Sequence, residues 1–178
     1  MKFKVYSEAP KNFIHKDAVD MLSEVADIVF EPLSDEEFRE AIAESSAAII
    51  VMKKIDDNFL DLAPKLKIVA RYGVGYDNVD VEACTKRGVY VTITPNVLSD
   101  AVADLVYALI LSLTRRICEA DKFVRTEWAK KKTRLPLGID LKEKNMGIIG
   151  VGRIGHQVAK LSLIHISEPT RLGMISYA

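Results

Sequence analysis

The residues with the clearest chemistry are the glycines of Gly150-Val151-Gly152-Arg153-Ile154-Gly155, a GxGxxG that follows the apolar run Met146 to Ile149. After a strand and at the opening of a helix, Gly150 permits a tight turn, Gly152 lets the backbone approach a pyrophosphate, and Gly155 allows helix and strand to pack closely. The amides of Arg153 and Ile154 would then face the anion at the positive helix end. A chance GxGxxG in a glycine-containing loop is the alternative, and the strand-turn-helix setting argues against it. A second pattern, Arg71-Tyr72-Gly73-Val74-Gly75-Tyr76-Asp77-Asn78, also follows an apolar run. Its two glycines let the amides of Val74 and Gly75 point outward together, a concavity suited to a carboxylate. The same residues fit a plain strand-to-helix turn equally well, with Asp77 and Asn78 capping the next helix. Lys53 and Lys54, at the end of an earlier strand, would stand near this loop and could pair with an anion; surface lysines also serve solubility alone.

These loops need elements to position them, and short β-branched runs alternate with helical patterns throughout the first hundred residues, as in a parallel sheet wound with helices. Strands are expected at Phe3 to Tyr6, Ala26 to Phe30, Ala48 to Met52, Lys67 to Ala70 and Val89 to Thr92, with a sixth at Met146 to Ile149. Their continuous apolar character suits strands buried on both faces. Ser34 with Glu37 forms a capping box, Pro64 closes the helix before it, and Gly88 stands where a left-handed helix end is wanted. The expected fold is α/β, a flavodoxin-like doubly wound parallel sheet, with ligands at the carboxyl ends of the strands. From Asp100 to Thr114 the pattern AVADLVYALILSLT is apolar on nearly every side, so this helix should be covered all round, as a domain core, a wall between domains or a dimer interface.

Composition narrows the function classes. The 178 residues carry 25 basic and 25 acidic side chains, so no global field favours nucleic acid or an anionic membrane. The segment Lys130 to Asp140, with three consecutive lysines and then Pro136 and Gly138, reads as a solvated loop rather than a nucleic-acid patch. The run Leu105 to Thr114 is far short of the roughly 20 residues that span a bilayer, and no signal peptide opens the chain. Cys84 and Cys118 show neither a disulfide framework nor metal-ligand spacing, so no metal is expected and a cytoplasmic location is.

Taken in order, ARYGVGYDNVDVEACTKRGVYVTITPN, SDAVADLVYALILSLTRR and GIIGVGRIG resemble the D-2-hydroxyacid dehydrogenase family, in particular its glyoxylate and hydroxypyruvate reductases and its phosphoglycerate dehydrogenases. The resemblance runs from Lys2 to about Lys160. It implies a substrate domain (residues 1–99), then an interdomain helix and the start of a Rossmann NAD-binding domain (residues 100–160), with substrate and nicotinamide meeting between them. It implies that Val74 and Gly75 bind the substrate carboxylate, that Lys53 holds a substrate-loop position and Asn96 a hinge beside the active site, and that Val102 lines the nicotinamide pocket. Gly150, Gly152, Arg153, Ile154 and Gly155 would bind the cofactor, NAD by default with NADP open. The substrate would be a small 2-oxo or 2-hydroxy acid, and the long helix would pair in a homodimer.

The family's substrate-polarising Arg, its general-acid His and the Glu that supports it have no counterpart in a matching motif, and neither His156 nor His165 takes their role. A complete doubly wound cofactor domain needs on the order of 100–150 residues, more than follow Met146. The expectation is therefore a truncated, inactive part of such an enzyme. Residues 161–178, beginning LSLIHISEPTR, resemble a translated transposon-based sequencing adapter, so Glu168 is not assigned to a ribose. The competing reading is a non-catalytic, dinucleotide-sensing binding protein of the same fold.

Overall fold

In the computed structural model, which describes residues 2–130 and 134–163, the five apolar runs of the first hundred residues pair into one parallel sheet of order β2-β1-β3-β4-β5. The strands are β1 (Phe3–Ser7), β2 (Ala26–Phe30), β3 (Ala47–Ile50), β4 (Ile68–Arg71) and β5 (Tyr90–Thr92). Each lies within two residues of its expected position, and β2 coincides with it. The register sets Val5 beside both Ile28 and Ala47, and Val69 beside Ala48 and Val91.

Helices α1 (Lys16–Val25), α2 (Asp35–Glu44), α3 (Asp57–Leu62) and α4 (Val81–Lys86) make the crossovers. The core joins α2, α3 and α4 to one face of the sheet through Tyr6, Ile42, Ile50, Phe59, Val69 and Ala83, all buried. This follows from chain direction: β2 to β3, β3 to β4 and β4 to β5 all step the same way, so right-handed crossovers put their helices on one face. The opposite step, β1 to β2, puts α1 on the other. That face is incompletely filled, and an apolar cavity of about 220 Å³ lies among Val19, Ile28, Phe30, Ile49 and Ala70.

The helix ends follow local chemistry. Ser34 and Glu37 form the expected capping box at α2. Gly88, at φ +68°, follows α4 in the left-handed region, where glycine has no Cβ penalty. The cap of α4 differs from the alternative weighed for this turn: Asp80, not Asp77 or Asn78, accepts the N–H of Ala83 at 2.8 Å. Asp80 directly precedes the helix, where its short side chain reaches the third helical amide.

The chain divides between Pro95 and Asn96. The second unit holds α5 (Ser99–Thr114), α6 (Ile117–Thr126) and α7 (Arg153–Leu163). The Tyr107 hydroxyl on α5 donates to the Val158 carbonyl on α7 at 2.9 Å, and Ala103 and Val158 are buried. One expectation fails here. Met146 to Ile149 forms no strand, because a ladder needs a partner and none lies beside it among the described residues; Ile149 is fully exposed. Within the single chain α7 takes one face of the long helix, so only Ala103 of that helix is buried and Leu105, Leu109 and Leu113 are exposed. Leu161 to Leu163 continue α7, and the rest of the adapter-like tail lies outside the described residues.

Candidate functional site

Because β3 and β4 are parallel neighbours, the loops after Ile50 and Arg71 leave the sheet at the same edge. Tyr72 carries the ladder one step on, its N–H donating to the Ile50 carbonyl at 2.8 Å, and the Gly73 carbonyl then accepts the N–H of Thr94 at 2.9 Å. Gly73 has φ +154°, a conformation side chains resist. At the far end of the loop the Asn78 carbonyl accepts the N–H of Ile55, and Asn78 Nδ2 donates to the Lys53 carbonyl, both at 2.8 Å. Between these anchors the exposed amides of Val74 and Gly75 donate to no group among the described residues. Two adjacent free N–H groups at a sheet's carboxyl edge can receive both oxygens of a carboxylate.

Arg71 adds a cation that sequence alone does not single out. Its guanidinium lies against Gly73, where an added Cβ would stand 2.7 Å from Nη1, and Nη1 donates to the Tyr72 carbonyl at 2.6 Å. Nε is buried without a partner among the described residues. The charge therefore sits against Gly73, the residue before the free amides, while the Asp77 carboxylate is the group nearest to Gly75.

Lys53 and Lys54 are placed differently from the sequence expectation. Lys54 pairs with Asp56 at 3.1 Å. The Lys53 ammonium stands 3.4 Å from Glu31 Oε1 and 4.3 Å from the centre of the Phe38 ring. Glu31 also accepts the hydroxyl of fully buried Tyr6 at 2.6 Å and the N–H of Leu33 at 2.7 Å. Burial raises the Glu31 carboxyl, but these donors and Lys53 outweigh it and hold the group below the usual carboxylate range. Burial first, and then the Glu31 carboxylate, push the Tyr6 phenol well above its usual range. It is thus the Lys53 backbone that meets the glycine loop, through Asn78.

In the second unit Gly150 has φ +86°, and a Cβ on Gly155 would strike the Gly150 carbonyl oxygen while lying 3.6 Å from Ile148 Cγ2. Both glycines are therefore required by the geometry. Gly152 faces open space, so its backbone can be approached. The Gly152 carbonyl accepts the N–H of His156 at 2.9 Å, so the amides of Arg153 and Ile154 belong to the first turn and have no partner within the helix. No acidic side chain occupies that turn. These features fit a dinucleotide pyrophosphate. Asn96 holds a left-handed conformation, φ 71°, at the division between the units, and Val102 is half-buried in the first turn of α5. His156 is exposed on α7. Among the described residues no cluster of His, Cys, Asp or Glu could hold a metal ion, and no helix is long and apolar enough to cross a membrane.

Comparison with known proteins shows the family and the fold. A glyoxylate reductase from Thermococcus litoralis is 53% identical over 127 residues, covering 68% of this chain and 38% of that protein. One from Thermococcus kodakarensis is 42% identical over 165 residues, covering 85% and 50%. The crystal structure of the TT0316 protein from Thermus thermophilus superposes with a TM-score of 0.77 at 32% identity, over 94% of this chain and 58% of that one. An NADPH-dependent glyoxylate/hydroxypyruvate reductase from Sinorhizobium meliloti, in complex with NADP and malonate, superposes with a TM-score of 0.73 at 26% identity, over 98% and 56%. The chain thus spans about half the length of such relatives or less. The profile of the D-isomer specific 2-hydroxyacid dehydrogenase catalytic domain matches residues 6–168, and the chain belongs to that family.

Proposed function

We propose that this chain provides the substrate domain and the opening of the cofactor domain of an NAD(P)-dependent oxidoreductase that interconverts a small 2-oxo acid, glyoxylate or hydroxypyruvate, and its D-2-hydroxy acid. The observation that carries the reading is the pair of free amides at Val74 and Gly75 at the carboxyl edge of the sheet, directly after Gly73 where the Arg71 guanidinium packs; they would receive one carboxylate. The curated relatives, named as glyoxylate reductases, support the substrate class. The turn at Gly150 and Gly152, with the amides of Arg153 and Ile154, would hold the pyrophosphate, and Val102 would line the nicotinamide side. Bound nicotinamide supplies or accepts the hydride. Asn96 would serve as the hinge, and Lys53 would stand at the rim of the substrate loop with its charge balanced by Glu31.

Turnover requires a general acid and a substrate-polarising cation in addition to these groups. We assign neither within residues 1–178, so the chain alone should bind without reacting. The exposed leucines of α5 suit a second copy of the chain as their cover, and the enzyme would be a cytoplasmic homodimer. The test is to read the source DNA across the codon for Lys160, express the uninterrupted frame and follow oxidation of NADH and NADPH with glyoxylate and hydroxypyruvate. Saturable oxidation by either acid is expected. A frame that expresses as a folded protein without this activity would overturn the enzymatic reading and favour a binding role.

A further inference from the structure

We infer that Asn78 and Glu8 are positioning residues for the anion site, gripping the backbone of Lys53 from opposite sides so that the Val74 and Gly75 amides stay fixed and open. The inference rests on the reading of those amides as the carboxylate site.

Glu8 follows β1 directly, and its carboxylate accepts three successive amides of the loop after β3: Val51 at 2.6 Å, Met52 at 3.0 Å and Lys53 at 2.9 Å. Consecutive N–H groups converging on one anion form a nest. Here the anion is internal, so the loop after β3 is already satisfied and does not compete for an external carboxylate. On its other side Lys53 offers its carbonyl to Asn78 Nδ2 at 2.8 Å. The Asn78 carbonyl in turn accepts the N–H of Ile55, and the Ile55 carbonyl accepts the N–H of Asp80, both at 2.8 Å. The two loops are thereby laced together, and Ile55 and Val79 form a parallel bridge.

The free amides lie between two fixed points. Tyr72 and Gly73 are held to Ile50 and Thr94 on one side, and Asn78 is held to Lys53 and Ile55 on the other. A segment pinned at both ends keeps its unpaired N–H groups turned outward, and the ordering cost is met in folding rather than on binding. An aspartate at 78 keeps the shape of asparagine but replaces the donor with a carboxylate oxygen facing the Lys53 carbonyl. Asn78→Asp therefore removes the grip without opening a cavity.

The experiment uses the isotopically labelled full chain and oxamate, a non-reacting 2-oxo monocarboxylate analogue. Without ligand, the heteronuclear NOE at Gly73, Val74 and Gly75 should be that of rigid backbone in the wild type and markedly lower in Asn78→Asp. Oxamate should shift the Val74 and Gly75 amides saturably. Its dissociation constant should rise about tenfold in Asn78→Asp, the scale of one lost hydrogen bond. Glu8→Gln, which keeps one acceptor oxygen, should act in the same direction more weakly. Wild-type NOE values and wild-type oxamate affinity in Asn78→Asp would overturn the inference. Loosening in Asn78→Asp with no oxamate response in either protein would leave the positioning role standing and refute the carboxylate reading. If Asn78→Asp loses the native resonances of Tyr6 and Val69, Glu8→Gln decides by the same criteria.

Discussion

Replacing Tyr6 with phenylalanine isolates one hydrogen bond at the centre of the sheet. The tyrosine has no exposed surface, and its hydroxyl donates to Glu31 Oε1 at 2.6 Å. Phenylalanine keeps the ring and its edge contact with Phe38, whose centre lies 5.3 Å away. A hydrogen bond to a charged acceptor contributes roughly 1.5–3 kcal/mol. Glu31 retains Leu33 N–H at 2.7 Å and Lys53 at 3.4 Å, so no acceptor is orphaned. The expected loss is thus at the lower end, about 1.5–2 kcal/mol. Native-state hydrogen exchange at the Val69 amide, in the buried middle of the sheet, reads this unit separately from the rest of the chain. Exchange there should speed up by about tenfold or somewhat more. The acid limb supplies a second check. The folded-state carboxyl of Glu31 lies below its usual range, so its contribution is complete above that range and is lost as pH falls through the lowered value. Tyr6→Phe removes one of the donors that hold it down, so the gap between the proteins should be constant near neutrality and narrow on acidification. A change at Val69 smaller than about twofold, or a gap that widens in acid, would refute the role assigned to this bond.

Gly88→Ala meets no atom within 4 Å, so its cost is purely the left-handed backbone at φ +68°. A loss of about 1–2 kcal/mol is expected, measured by exchange at Val89, whose N–H closes the end of α4 on the Cys84 carbonyl. Gly155→Ala drives a Cβ into the Gly150 carbonyl and should cost about 1–3 kcal/mol, seen as faster exchange at Val158. It should also weaken the response of the Arg153 and Ile154 amides to added NADH, whereas oxamate binding at Val74 and Gly75 should be unchanged.

The sheet was legible because its strands are continuous apolar runs, and parallel pairing needs nothing further to mark them. The GxGxxG turn was marked by its spacing, whereas the loop at Gly73 and Gly75 fitted a plain strand-to-helix turn equally well. What the sequence hid was every contact made across long separations. Glu8 is an ordinary acid until β1 and β3 pair and bring the amides of Val51 to Lys53 onto it. A local cap is only one of two equal readings of Asn78 in the sequence, yet its partner is Lys53, 25 residues earlier. Lys53 looked like a free cation for the same reason, since Glu31 and Phe38 join it only through the order of the strands. Met146 to Ile149 shows the converse: an apolar run records what could pair, and pairing also needs a neighbour.

On the proposed reading, recognition through main-chain N–H groups at Val74 and Gly75 has a consequence for how this site can change over generations. Every residue except proline presents the same donor, so position 74 is free to drift in size and polarity without surrendering the anion. Gly75, whose added Cβ would meet Asp77 only at an ordinary 3.5 Å, shares some of that latitude. Variation there can reshape the space around the remainder of a bound acid while its carboxylate stays anchored, so one scaffold can move among related substrates by single substitutions.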